Sequence, residues 1–248
     1  MTRLVVNELR RLAGRRLFWL LAGLVVLGIL IAGLLKLAQA DSEFFVTSLQ
    51  DVLAGTTVPL VLLSFVVGAS FVGADWRAGT IVTQLTWEPR RVRLVVAKGT
   101  AAVLAVVLAT VVLQALLVGA LLPGALGGGG SAGADAAWLR TAAAEVLREA
   151  ALSGIAGAIG LALGLVGRNT ALALGAGFIY LAVLEGGLLN AIFPGIDRWL
   201  VVPNAIQFVA GGDFLVGRSV TAAGLLLAGY AVGALVIAAA VFRARDVT

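Results

Sequence analysis

Apolar runs dominate the chain, and the breaks between them are short, polar and rich in arginine, glycine and proline. Six runs are each long enough to cross a hydrocarbon core about 30 Å thick, which takes about 20 helical residues. They predict spans at about 17–37, 52–74, 99–122, 136–167, 170–193 and 220–242. Residues 2–15 follow a different rhythm: Val5, Leu9 and Leu12 sit at i, i+4 and i+7 among Arg3, Arg10, Arg11 and Arg15. That pattern suits a helix lying in the headgroup plane with its apolar stripe inward. The plainer alternative is a basic flank of the first span.

The boundaries carry their own signals. The second span starts at Val52 or at Thr57, where the hydroxyl would cap a helix with Pro59 in its first turn. Pro123, the glycines at 127–130 and Ser131 predict a loop after the third span. Asp135 is a suitable N-cap for the fourth, whose 32 residues at about 1.5 Å each outrun the hydrocarbon core. Its first turns should protrude, with Glu145, Arg148 and Glu149 forming a solvated, mutually neutralising cluster; a mouth for substrate is the secondary reading. Residues 194–218 hold Pro194, Asp197, Arg198, Trp199 and Pro203, too broken for a span and too apolar for a free loop. They are expected in the outer interface, with Trp199 at headgroup level. Ala38, Gln39 and Ala40 resemble a signal-peptidase site, but the 19-residue apolar run before them exceeds the roughly 7 to 15 of a signal peptide.

Composition sharpens this picture, since 61% apolar and 12% charged residues depart from the soluble average of about half and a quarter. The expected fold is all-α integral membrane: one transmembrane domain over residues 1–248, with six transmembrane helices and an N-terminal interfacial helix. Cysteine and histidine are both absent. That excludes disulfides, thiolate or imidazole metal sites and histidine-dependent nucleophiles. Lys36 and Lys98 are the only lysines, and neither completes a phosphate-binding GxxxxGK[ST] run. No catalytic, cofactor or metal site is expected, and no basic stripe interleaved with aromatics points to nucleic acid. The net charge of +5 comes from arginines at segment ends, which favour anionic lipid headgroups. Most basic residues fall before the first span, in residues 73–98, at Arg168 and at Arg243 and Arg245, while Lys36, Arg140, Arg148, Arg198 and Arg218 fall on the other side. By the positive-inside rule both termini are expected in the cytoplasm, in the cytoplasmic membrane.

Three further features bear on packing and function. Residues 73–98 form a charged, proline-broken island with five of the eighteen basic residues, which reads as a cytosolic docking surface. In the fourth span Ser153, Gly157, Gly160, Gly164 and Gly167 recur in steps of four and three. Such a face lets a neighbouring backbone approach closely, whether another helix of this chain or a second copy. Glu185 shares a face with Gly175 and Ala182 in the fifth span, a small-residue face expected to point inward. It is either an acid hydrogen-bonded to a neighbouring helix or, with Gln114 and Asn190, a polar point on a substrate route.

The order of these features resembles the permease subunit of ATP-binding-cassette exporters of the second type, over nearly the whole chain. The resemblance is carried by Asp75, Gly79-Thr80, Leu85, Pro89-Arg90-Arg91 and Ala97-Lys98, by Asn7-Glu8-Leu9-Arg10, and by Glu185 followed by Pro203. The family more often has Glu where Asp75 stands. The resemblance implies a short cytoplasmic coupling helix within residues 75–93, between spans two and three. Thr80 would cap it and Ile81 and Leu85 would form its apolar face, held in a groove of a separate ATPase. Asp75, Arg77, Gly79, Glu88, Pro89, Arg90 and Arg91 would complete that contact, while Arg93 and Lys98 are read as residues at lipid headgroups.

The implied assembly is an ABC transporter of two ATPase subunits, which hold ATP and Mg, and a second permease copy or paralogue. It would export an amphipathic compound: a drug, a peptide or a lipid-like molecule. The alternatives are a secondary transporter or channel driven by an ion gradient through Glu185, and a structural membrane scaffold.

Overall fold

Without water as solvent, every backbone N–H and C=O needs a partner inside the protein, and an apolar chain meets that demand as helix. The structure, a computed structural model, describes residues 1–38, 46–128, 131, 133–211 and 217–245, and among these there is no β-strand. Gln39 and Ala40 of the signal-peptidase-like sequence, Gly129 and Gly130, and residues 212–216 lie outside the described residues.

The helices are α1 (Thr2–Ala13), α2 (Arg16–Ala38), α3 (Leu49–Arg77), α4 (Thr80–Trp87), α5 (Arg91–Gly128) and α6 (Ala136–Gly167). Then come α7 (Thr170–Ile179), a π-helical stretch (Tyr180–Leu188), α8 (Leu189–Ile192), α9 (Val201–Ala210) and α10 (Val220–Ala244). Five rods, namely α3, α5, α6, the α7–α8 run and α10, are long and apolar enough to cross a membrane. A sixth, α2, passes together with α1, from which it is bent by 63°. The chain is therefore an all-α membrane protein with five to six such helices.

Several boundaries differ from those expected. α3 begins at Leu49, so Pro59 lies within it and Thr57 caps nothing. α5 starts at Arg91, two residues after Pro89, and runs through Pro123 to Gly128. Proline removes one main-chain hydrogen bond, whereas opening the helix in apolar surroundings would strand several N–H and C=O groups. The fifth span is broken: its middle is π-helical, with Gly187 at φ 149. The 194–218 segment contains a ten-residue helix, α9. Asp135 does cap α6, accepting from the N–H groups of Ala137 at 2.9 Å and Trp138 at 2.8 Å.

α6 is the most enclosed rod, packed against α3, α5 and α10. Between apolar helices in lipid there is little hydrophobic gain, so close backbone approach must supply the attraction. The small-residue seam of α6 supplies it against α3 of the same chain. A Cβ on Gly160 would overlap the carbonyl of Phe65, one on Gly68 would overlap the carbonyl of Gly157, and one on Gly164 would sit 2.8 Å from the oxygen of Ala69. Ser153 is fully buried. Gly167 departs from the seam, since a Cβ there would meet Leu172 of the following helix. The other expected small-residue face does not turn inward: Gly175 has no neighbour within reach of an added Cβ, and Ala182 is exposed.

Gly160→Ala should cost about 1–3 kcal/mol, the range for overpacking, because the new methyl meets backbone that cannot rotate away. Gly229→Ala in α10, where a Cβ would meet nothing within 4 Å, should leave stability unchanged. Thermal unfolding of the detergent-solubilised protein reads both.

Candidate functional site

At the end of the bundle where α1, α4 and the start of α5 meet, five charged side chains close into one network. Asp75, in the last turn of α3, accepts from Arg11 (2.9 Å) and Arg15 (2.7 Å) through Oδ1. Its Oδ2 accepts from Lys98 (2.6 Å) and from Gln84 of α4 (3.2 Å). Lys98 also donates to Glu8 at 2.8 Å, and Arg11 closes the ring on Glu8 at 3.1 Å. Lys98 is only 1% exposed, Asp75 2% and Glu8 3%. Phe71 floors the cluster, with Lys98 Nζ 4.8 Å and the Arg15 guanidinium 5.0 Å from its ring centroid, a cation–π arrangement. Burial pulls the Arg15 pKa below its ordinary value against the opposing Asp75 carboxylate. Arginine starts high enough to stay charged.

The helix α4 stands on this network. Gly79, at φ 65, takes the left-handed turn that ends α3 and opens α4. Gly79, not Thr80, is thus the N-cap, and the Thr80 hydroxyl donates back to the carbonyl of Asp75 at 3.2 Å. Ile81 is 1% exposed, and Ile81 and the half-buried Leu85 pack into a core with Leu12, Phe71, Leu94, Leu161 and Phe242. The apolar face of α4 is therefore filled by the chain's own helices. Glu88 pairs with Arg93 at 3.1 Å, and Arg91 donates to the carbonyls of Phe242 (2.9 Å), Arg243 (3.2 Å) and Arg245 (2.7 Å), gripping the end of α10.

The docking set read from the sequence thus divides. Asp75 and Ile81 are buried and Leu85, Glu88 and Arg91 are engaged within the chain, while Arg77, Gly79, Pro89 and Arg90 are exposed. Lys98 does not reach headgroups, and Arg93 pairs with Glu88. Sequence reasoning missed Val82 (49% exposed) and Trp87 (86%), which face outward from α4. It also missed the partnership of Arg11, Arg15 and Lys98 with Asp75. Glu8 was the available signal, as the only acid among the first sixteen residues and three positions from Arg11.

The polar residues proposed for a route do not converge. Glu185 accepts from the N–H groups of Val201 (2.6 Å) and Val202 (2.7 Å), holding the first turn of α9. Asn190 donates to Asp197 in the same segment. Gln114 lies elsewhere, donating to Thr56 at 2.9 Å and to Glu149. Glu145 and Glu149 are not solvated: they are 5% and 0% exposed, and Arg148 donates to the carbonyl of Val209 instead of to either. The cover comes from α3, α5 and α9, which the local sequence of α6 does not reveal. Trp199 is half exposed, stacked under Arg218.

Among the described residues no group of three or more acidic side chains is placed to hold a metal ion. No protein-family model matches this chain, and no curated protein sequence matches it.

Lys98→Met removes the fully buried cation that bridges both carboxylates. Breaking a buried pair from one side costs about 3–5 kcal/mol, so the unfolding midpoint should fall sharply. Arg140→Met, at an exposed position, should not move it.

Proposed function

We propose that this chain is the permease subunit of an ATP-driven exporter, moving an amphipathic drug, peptide or lipid-like compound across the cytoplasmic membrane. It works with a second copy or a paralogue, and two separate ATPase subunits bind the ATP and Mg. The observation that carries the reading is α4 itself: a rigid two-turn helix whose inner face is fixed to α1, α3 and α5 and whose outer face offers Val82, Thr83, Thr86 and Trp87. An exposed tryptophan beside arginine is the composition of an interface hot spot. Next to it, Pro89, Arg90, Arg91, Val92 and Arg243 line a basic recess suited to an acidic rim on the partner.

The basic residues gather at this end, which supports a cytoplasmic placement of α4 and both termini. Arg15 and Lys98 meet Asp75, Arg168 lies over the ring of Trp76, and Arg91 reaches Arg243 and Arg245. A push on α4 then reaches α3 and α1 through Asp75 and Gln84, and α10 through Arg91. In this reading the six rods are six spans, α1 lies in the headgroup plane, and Glu185 and Asn190 hold the outer segment closed.

Copurification tests the docking. Trp87→Glu and Arg90→Glu should release a Walker-motif ATPase at least tenfold while leaving the unfolding midpoint unchanged. Leu85→Asp should lower the midpoint as well, because Leu85 packs inward. Transport that persists without any ATPase and collapses with the proton gradient would replace this reading with a secondary transporter.

The chain has no cysteine, so single probes report sidedness cleanly. Thr83→Cys should label from the cytosol and Ser131→Cys from outside. The reverse pattern would overturn the orientation.

A further inference from the structure

Two carboxylates on α6 are buried, and among the described residues neither has a counter-ion. Glu145 and Glu149 stand one helical turn apart on one face, and Ser153 follows one turn later on the same face. Their relative exposures are 5%, 0% and 0%. Glu149 accepts from the Thr57 hydroxyl and the Gln114 amide, both neutral donors. Among the described residues the ion pairs involve Glu8, Asp75 and Glu88, and neither carboxylate of α6 takes part in one.

Among the described residues, no charged side chain forms an ion pair with either carboxylate. Arg148, on the same helix, is committed to the carbonyl of Val209. Asp51 at the start of α3 is exposed, the basic residues of α5 lie in its first turns at the opposite end of the bundle, and α9 has no charged residue. Two negative charges in such surroundings cost far more than the hydrogen bonds from Thr57 and Gln114 return. Positive charge must enter the site.

An independent observation points the same way. Glu145 Oε2 and Ser153 Oγ are both buried with no hydrogen-bond partner, one turn before and one turn after Glu149. Buried polar atoms without partners are rare in native proteins and mark a missing water or ion. Two of them flank Glu149 along the same helix face.

We infer that Glu145 and Glu149 form a binding site for a monovalent cation, a proton or a sodium ion, at the junction of α3, α5 and α6. An oxygen set of two carboxylates and hydroxyls serves either occupant: a proton on a carboxyl group, or a hard cation between oxygens. The site lies apart from the Asp75 network and does not rest on the export reading. It joins the three helices that any rocking of the bundle must move, so its occupancy changes how tightly they hold together.

The test uses the full chain in detergent. The unfolding midpoint is compared in sodium chloride and in choline chloride of equal strength. Difference infrared spectra across an alkaline pH step follow the carbonyl stretch of a protonated carboxylic acid. A saturable rise in midpoint with sodium assigns the site to sodium; loss of the carboxylic band without a sodium response assigns it to a proton. Glu149→Gln should abolish the signal at least tenfold, and Glu145→Gln should weaken it, which keeps the test alive if the first variant does not fold. The inference is overturned if the wild type gives neither signal, or if a folded variant of the pair keeps the wild-type response.

Discussion

Lys98 touches both Glu8 and Asp75, and through them one ammonium group joins the N-terminal helix to the ends of two long rods. Buried ion pairs add little net stability, because desolvation offsets most of the Coulombic gain. What they enforce is geometry: with two buried carboxylates held between the buried Lys98 and the part-exposed Arg11 and Arg15, few arrangements of α1, α3 and α5 leave no charge stranded. The position of α4 follows from the same group, since Gln84 and the Thr80 hydroxyl both bond to Asp75. A chain with so few charges places five of them in one network and uses it to fix the foot of the bundle.

Along the bundle the constraint changes from charge to shape. The α3–α6 contact depends on glycine at 68, 160 and 164, where backbone meets backbone, so these two helices behave as one body. By contrast the α7–α8 run is almost uncovered by its own chain. Its π-helical middle leaves main-chain hydrogen bonds irregular, and such stretches recur at sites where a helix serves a function beyond packing. Glu185 sits in that stretch and reaches α9, so the irregular segment is also the one that positions the short helix.

The long helices were legible because run length alone reports a span, and the seam was legible because its small residues keep a heptad phase. Its partner was not, since a periodic stripe names a face but never the face opposite. Charge burial was hidden for the same reason. Asp75 and Lys98 border apolar runs and read as boundary residues, and Glu145 and Glu149 sit in the first turns of an over-long helix and read as solvated. Cover arrives from α1 in one case and from α3, α5 and α9 in the other, all distant in sequence. Pro123 misled through local chemistry, because the cost of stopping a helix in apolar surroundings outweighs that of one missing N–H.

The 63° elbow between α1 and α2 sets a vertical reference for the whole molecule. A helix turned so far from the first rod, with Glu8, Arg11 and Leu12 tucked under the bundle and Arg3 and Arg10 outward, would work like a flange if it lies in the headgroup plane as proposed. On that proposed placement it would limit how far the bundle can sink into or rise out of a sheet of lipid. A bilayer of changed thickness then cannot be met by sliding the molecule along its axis. The adjustment falls to tilt, and tilt acts first on the rods that the flange grips.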